Sequence, residues 1–204
     1  VSFFFYKDNQ DYFVIRLKEL LQRIKMSLTL IEKVKARANS KETRTDMFPG
    51  NSIIYPKLTK IQLDRTEKEL GFTLPPLLVS VYQEIGNGGF GPGYGLLGVN
   101  CGAADDIGEN AVDAYNYYKS AEEEEGDAKW AWPEGLLPIC HWGCAIYSCV
   151  DCFSPDFKLV TLEPNLMDEE NGFTKCIIPQ NHTLESWFNA WVDNVKLWDE
   201  MFGQ

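Results

Sequence analysis

Cys140, His141, Cys144, Cys149 and Cys152 fall within thirteen residues, the densest run of soft ligands and nucleophiles in the 204-residue chain. Cys149-x-x-Cys152 has zinc-ligand spacing, yet only four residues separate it from Cys144. Two ligand pairs usually need a longer excursion to meet around one ion. Ala145–Val150 also alternates as a strand does, which points Cys149 and Val150 to opposite faces. These residues therefore read as buried thiols, and the reading assigns neither a metal nor a cofactor. Cys–His catalysis has only His141 and His182 to draw on. His141 adjoins Cys140 on a strand, so the two side chains diverge, and His182 reads as a loop residue near a helix cap. No catalytic residue is assigned, and the chain reads as a non-enzyme.

Gly93-Tyr94-Gly95-Leu96-Leu97-Gly98 satisfies G-x-G-x-x-G. The dinucleotide fingerprint requires a strand before it and a helix after it. Here a helix precedes it and Leu96–Val99 reads as strand, so the glycines are turn residues. Three acidic clusters remain: Asp105-Asp106 with Glu109, Glu122-Glu123-Glu124-Glu125 with Asp127, and Asp168-Glu169-Glu170. None has the alternating spacing and turn glycine of a calcium loop. The first two, with the nearby rings of Trp130 and Trp132, are the candidate partner-binding residues. Carboxylates supply charge to a basic surface, and the aromatics supply anchors.

The charge distribution supports that choice. Lys and Arg number 19 against 30 Asp and Glu, for a net charge of −11. Residues 1–60 carry +6 and residues 61–204 carry −17. A chain this acidic disfavours direct binding to nucleic acid, which needs a basic face. It favours encounter with a basic protein. No apolar run approaches the roughly 18–20 residues of a membrane span, so no membrane partner is expected. The opening Val1–Tyr6 run is short and lacks a basic flank, unlike a signal peptide. Six cysteines without such a signal read as thiols of a reducing compartment, which places the protein in the cytoplasm.

The elements that must position these residues follow from periodicity. Val14, Leu17, Leu21, Ile24, Leu28, Ile31 and Ala38 form a helical stripe suited to docking on the domain. The same steps fit a short coiled-coil seam, so a homodimer through residues 14–38 is the rival. Residues 39–57 read as a polar linker. Thr59 and Gln62 form a capping box for a helix that Gly71 ends. Pro75-Pro76 opens the next helix, and Asn87-Gly88-Gly89 stops it. Residues 107–121 read as a helix running into a Glu-rich loop. Tyr94–Val99, Leu136–Cys140, Ala145–Val150 and Phe157–Leu162 read as strands. A last helix begins near Thr183 and carries Leu184, Trp187, Trp191, Val195 and Trp198 on one stripe.

This order of motifs resembles the SUKH superfamily, which includes the Smi/Knr-type cell-wall regulators and bacterial toxin-immunity domains. The similar features are Glu67-Lys68-Glu69-Leu70-Gly71, Leu74-Pro75, Asn87-Gly88-Gly89, Leu137-Pro138-Ile139, Gly143, Cys149-Val150-Asp151 and Ser186-Trp187-Phe188, spread over roughly residues 58–202. The resemblance implies an α+β domain at 58–204, a mostly antiparallel sheet packed against helices, with residues 1–57 as an N-terminal helix and linker. It also implies an immunity protein that neutralises a cognate protein toxin, a nuclease or deaminase with a basic surface, by occluding its active site. The alternative it implies is an intracellular scaffold or regulator of the cell-wall-regulator type.

Overall fold

The computed structural model describes residues 2–203, with side chains throughout except at 2–12, 23–24, 49 and 122–125. Local sequence signals set most helix boundaries. Helix α1 spans Ser2–Asn39, α2 Lys60–Leu70 and α3 Pro76–Glu84. The capping box at the start of α2 is formed, with Thr59 Oγ1 accepting from Gln62 N at 3.3 Å and Gln62 Oε1 accepting from Thr59 N at 2.9 Å. Gly71 closes α2 at φ 83°, a left-handed backbone that glycine adopts without steric cost. Glu67 then reaches across the turn, its Oε1 accepting from Leu74 N at 2.9 Å and fixing where α3 begins.

Strands β1 (Leu136–His141), β2 (Tyr147–Asp151), β3 (Lys158–Leu162) and β4 (Ile177–Thr183) form one antiparallel sheet in the order β1-β2-β3-β4. With helix α4 (Ala111–Glu125) packed beside β1, and α5 (Leu184–Val192) joining β4 to α1, the architecture is α+β as expected. Helix α6 (Leu197–Phe202) closes the chain. One buried cluster runs through all of it, with Trp187, Trp191, Tyr82, Tyr115, Phe90 and Phe188 the largest enclosed side chains.

Four details differ from the sequence reading. Tyr94–Val99 is not a strand; glycines at positive φ break it, and only Leu96 bridges to Cys140. The segment instead lies along the free edge of β1, with Tyr94 N donating to His141 O (3.0 Å) and Leu97 N to Ile139 O (2.9 Å). It thus covers an edge that would otherwise expose unpaired backbone. The fourth strand, β4, carries Pro179 and polar neighbours, which hide its strand character, and an edge position tolerates such a proline. The expected last helix is two: Asn194 turns to φ 62° after α5, so Val195 and Trp198 do not extend its stripe. Helix α4 starts at Ala111 rather than 107, where Asn110 Oδ1 accepts from Val112 N at 2.9 Å, and it continues through Glu125 where a loop was expected.

Helix α1 is divided in its environment. Leu30, Ile31, Val34 and Ala38 are buried in the common core, whereas Phe13, Val14, Leu17, Leu20, Leu21 and Leu28 are exposed. The expected docking therefore holds for Ile31 and Ala38 and not for Val14, Leu17, Leu21 and Leu28; the Ile24 side chain lies outside the described residues. Arg37 locks the inner end. Its guanidinium donates to the Trp191 carbonyl, to Asp46 Oδ1 (3.2 Å) and to Asn194 Oδ1 (3.3 Å), and lies 4.7 Å over the Trp191 ring. The 39–57 segment is likewise pinned: Thr45 is buried, Gly91 N donates to Arg44 O, and Met47 N donates to Gly93 O.

Candidate partner-binding site

The loop before α4 is built around one carboxylate. Asp105 Oδ1 accepts from the backbone N–H of Ile107 (3.0 Å) and Glu109 (2.9 Å), and Oδ2 accepts the Tyr147 hydroxyl at 2.6 Å. These bonds tie the loop to β2 and fix the direction of its neighbours. Burial, followed by the bond to Asp105, pushes the Tyr147 hydroxyl well above its ordinary value, so it stays a donor. Burial, Asp105 and Asp113 together raise the Glu109 carboxyl. Asp106 points outward, 70% exposed, with Oδ1 at 3.6 Å from His141 Nε2.

His141 sits beneath it in a column of rings. Tyr94 lies 5.6 Å on one side and Tyr147 5.2 Å on the other, both at shallow tilts. The column continues through Tyr118, edge-on to Tyr147 at 6.1 Å, to Trp132, stacked on Tyr118 at 4.9 Å. Burial lowers the His141 pKa against the opposing pull of Asp106 and Asp105, which keeps the ring neutral at neutral pH. Asn51–Ile53, Tyr55, Tyr94, the Asp105-Asp106 pair and His141 enclose a cleft of 360 Å³. Four segments far apart in sequence meet there.

The candidate residues form two groups rather than one. Asp105, Asp106 and Glu109 precede α4, whereas Glu122–Glu125 and Asp127 lie at its far end, about 22 Å away along a fifteen-residue helix. The side chains of Glu122, Glu123, Glu124 and Glu125 lie outside the described residues. Asp127 caps the following turn, accepting from Lys129 N at 3.0 Å, and pairs with Lys129 Nζ at 3.4 Å. Trp132 is buried, its indole N–H donating to Leu136 O at 2.8 Å; Trp130 is half-buried at the rim, edge-on to Phe173. Of the two rings, Trp130 is the more exposed.

The other motifs resolve into packing. At Gly93, φ is 55° and a Cβ would stand 2.7 Å from His141 O, while one at Gly98 would stand 2.3 Å from Asn87 O. Close backbone approach explains these glycines, with no helix following to receive a pyrophosphate. Cys140 and Cys149 are buried, and desolvation pushes both thiols up, while Cys152 is pushed up to about 12. Burial thus holds them in the unreactive thiol form. Cys140 Sγ donates to Pro92 O at 3.2 Å. Among the described residues, no group of three or more His, Cys, Asp or Glu is placed to hold a metal ion. His182 is a structural link, bonded to Ser186 Oγ at 3.2 Å and Glu200 Oε2 at 2.8 Å. The sequence reading misses the cleft as a unit, because a histidine beside a cysteine reads there only as a ligand or a base.

The sequence profile of the SMI1/KNR4 family (SUKH-1) matches residues 57–179, well over half of the chain. The chain belongs to the SMI1/KNR4 family. SUKH-1 domains are generally immunity- or regulator-type binding domains rather than enzymes. No individual curated protein matches the chain. The matched segment contains α2, α3, α4, strands β1–β3 and the start of β4, hence the Asp105–Glu109 loop and His141. Four further walls of the cleft, Asn51, Ser52, Ile53 and Tyr55, come from outside it. Among the described residues, no helix of this SUKH-1 protein is long and apolar enough to cross a membrane.

Proposed function

We propose that this SUKH-1 domain is a bacterial, cytoplasmic immunity protein that binds the basic surface of a cognate polymorphic toxin and occludes its active site. A toxin acting on nucleic acid, such as a nuclease or deaminase, must itself present a basic groove. The observation that carries the reading is the placement of Glu122–Glu125. They occupy the last turn of α4, where the helix dipole disfavours negative charge. Four acidic residues at that position work against the helix dipole, which supports a role in binding. At the other end of α4, Asp105, Asp106 and Glu109 add a second acidic rim, while Trp130, beyond Asp127, offers an aromatic anchor near the first. All six cysteines are free, which fits a reducing compartment.

Co-expression with the toxin gene adjacent to its own tests this. Rescue of growth and a stable complex are expected. Reversing Glu122–Glu125 and Asp127 to Lys should weaken the complex and abolish rescue. Absence of any toxin gene nearby, or rescue by the charge-reversed protein, would contradict the reading.

The second reading, a scaffold or regulator of the cell-wall-regulator type, has its own observation. Phe13, Val14, Leu17, Leu20, Leu21 and Leu28 expose an apolar stripe on the outer half of α1. Such a stripe suits homodimerisation within residues 14–38. Mass in solution before and after removal of residues 2–28 separates docking of α1 from dimerisation. A dimer that becomes a monomer fits the scaffold or a dimeric immunity protein.

A further inference from the structure

His141 is 3% exposed, and its Nε2 has no hydrogen-bond partner among the described residues although the ring lines the cleft. A buried polar atom left unpaired is costly, and native folds keep few of them. Asp106 Oδ1 stands at 3.6 Å from His141 Nε2, too far for a hydrogen bond. Asp105, one residue earlier, has both oxygens engaged by Ile107, Glu109 and Tyr147. The pair therefore contains one carboxylate committed to the fold and one, Asp106, held over a histidine with an open valence.

We propose that this cleft receives an arginine side chain of the basic partner, with Asp106 as its carboxylate and His141 as the residue that positions Asp106. The inference rests on the reading of the domain as a binder of a basic protein. Arginine fits better than lysine for three reasons. Its planar guanidinium can engage a carboxylate through two parallel N–H···O bonds. It can also lie against a ring, and Tyr94, 42% exposed, forms one wall of the cleft. The cleft is small, 360 Å³, close to the roughly 300 Å³ lower limit of ligand pockets, which suits one side chain rather than a peptide. The guanidinium holds the Asp106 carboxylate inward, and Nε2–H of the neutral imidazole donates to its near oxygen. The bond missing from the free protein is thereby made in the complex. A neutral His141 offers no repulsion to the incoming cation. The groups facing His141 are Asp105, Asp106, Tyr94 and Tyr147, none of them cationic.

Titration of the whole chain with N-acetyl-arginine amide, followed through the His141 ring nitrogens by NMR, tests the site. A saturable change at Nε2 is expected, with the His141 titration midpoint moving to lower pH as the bound cation opposes protonation. N-acetyl-citrulline amide, of similar shape and uncharged, should leave both unmoved. Asp106→Asn should weaken the arginine response at least tenfold, whereas Asp156→Asn, on a distant turn, should not. No saturable response to the arginine amide, or an equal response to N-acetyl-lysine amide, overturns the arginine assignment. The cleft and the wider reading fail separately. If a toxin complex forms and is as tight with Asp106→Asn and His141→Phe as with the wild type, the cleft proposal falls and the binding reading stands. If the arginine amide binds and no basic partner is captured, the binding reading falls and the chemistry of the cleft remains.

Discussion

The outer half of α1 and the Asp105–Glu109 loop are both exposed, opposite in charge and different in construction. Residues 13–28 display apolar side chains with basic neighbours, and the polar contacts of the described side chains there are local, such as Arg16 to Glu19 at 3.3 Å and Thr29 Oγ1 to the Lys25 carbonyl. The loop is acidic, and a single carboxylate binds it to β2 and to two of its own amides. In the helix, exposure is what remains when a periodic pattern outruns the domain that buries its end. In the loop, exposure is arranged: Asp106 is free because Asp105 is not. A partner would meet a pre-set geometry at the loop and a generic apolar surface at the helix.

The contrast is broken most severely by exchanging the environments of α1. Val34→Asp, at the buried end, should cost more than about 3 kcal/mol, since it places an unpaired charge in the core. Leu17→Asp, at the exposed end, should stay within about 0.5 kcal/mol in urea unfolding. A large loss at Leu17 would mean that the outer half is covered in solution, which concentration-dependent stability would reveal.

Within the loop, Asp105→Ala should lower stability by about 2 kcal/mol, because the Tyr147 hydroxyl and two amides lose their acceptor. Asp106→Ala should stay within about 0.5 kcal/mol. Equal losses would remove the distinction between the committed and the free carboxylate. A smaller effect concerns pH. The folded His141 pKa lies below that of the unfolded chain, so on acidification the unfolded chain takes up its proton first. Stability therefore falls as the pH drops below 7, and His141→Phe should flatten that slope. The smallest effect has the opposite sign. Changing Glu122–Glu125 to Gln should raise stability by a few tenths of a kcal/mol, because the last turn of α4 loses unfavourable charge. The same change should weaken binding to a basic partner and flatten its salt dependence.

What the sequence disclosed was whatever a short stretch decides for itself. The Thr59–Gln62 box, the stop at Gly71 and the strands Leu136–His141 and Lys158–Leu162 depend on neighbours within a few residues. Strand β4 was illegible because its edge position relaxes the residue preferences by which strands are recognised. Tyr94–Val99 misled in the reverse direction, its apolar run serving a glycine-bent cover for β1. Of the candidate site, the acidic residues were legible and their organisation was not. Asp105 owes its role to a tyrosine forty-two residues later, and the cleft exists only where residues 51–55, 94, 105–106 and 141 converge. No periodicity encodes such a meeting.

Asn87 shows how little separates this arrangement from its loss. Its buried amide gives a hydrogen to the Val99 carbonyl and takes one from the Val99 N–H at 2.9 Å, standing in for a strand neighbour. Only a group that is donor and acceptor at once can do both. Hydrolysis of that amide, the change Asn87→Asp, would keep the shape almost atom for atom and abolish the donor, leaving a carboxylate facing a carbonyl. The segment that Asn87 closes carries Tyr94, so loss of one nitrogen atom would age the protein at the proposed arginine cleft before any change in its outline.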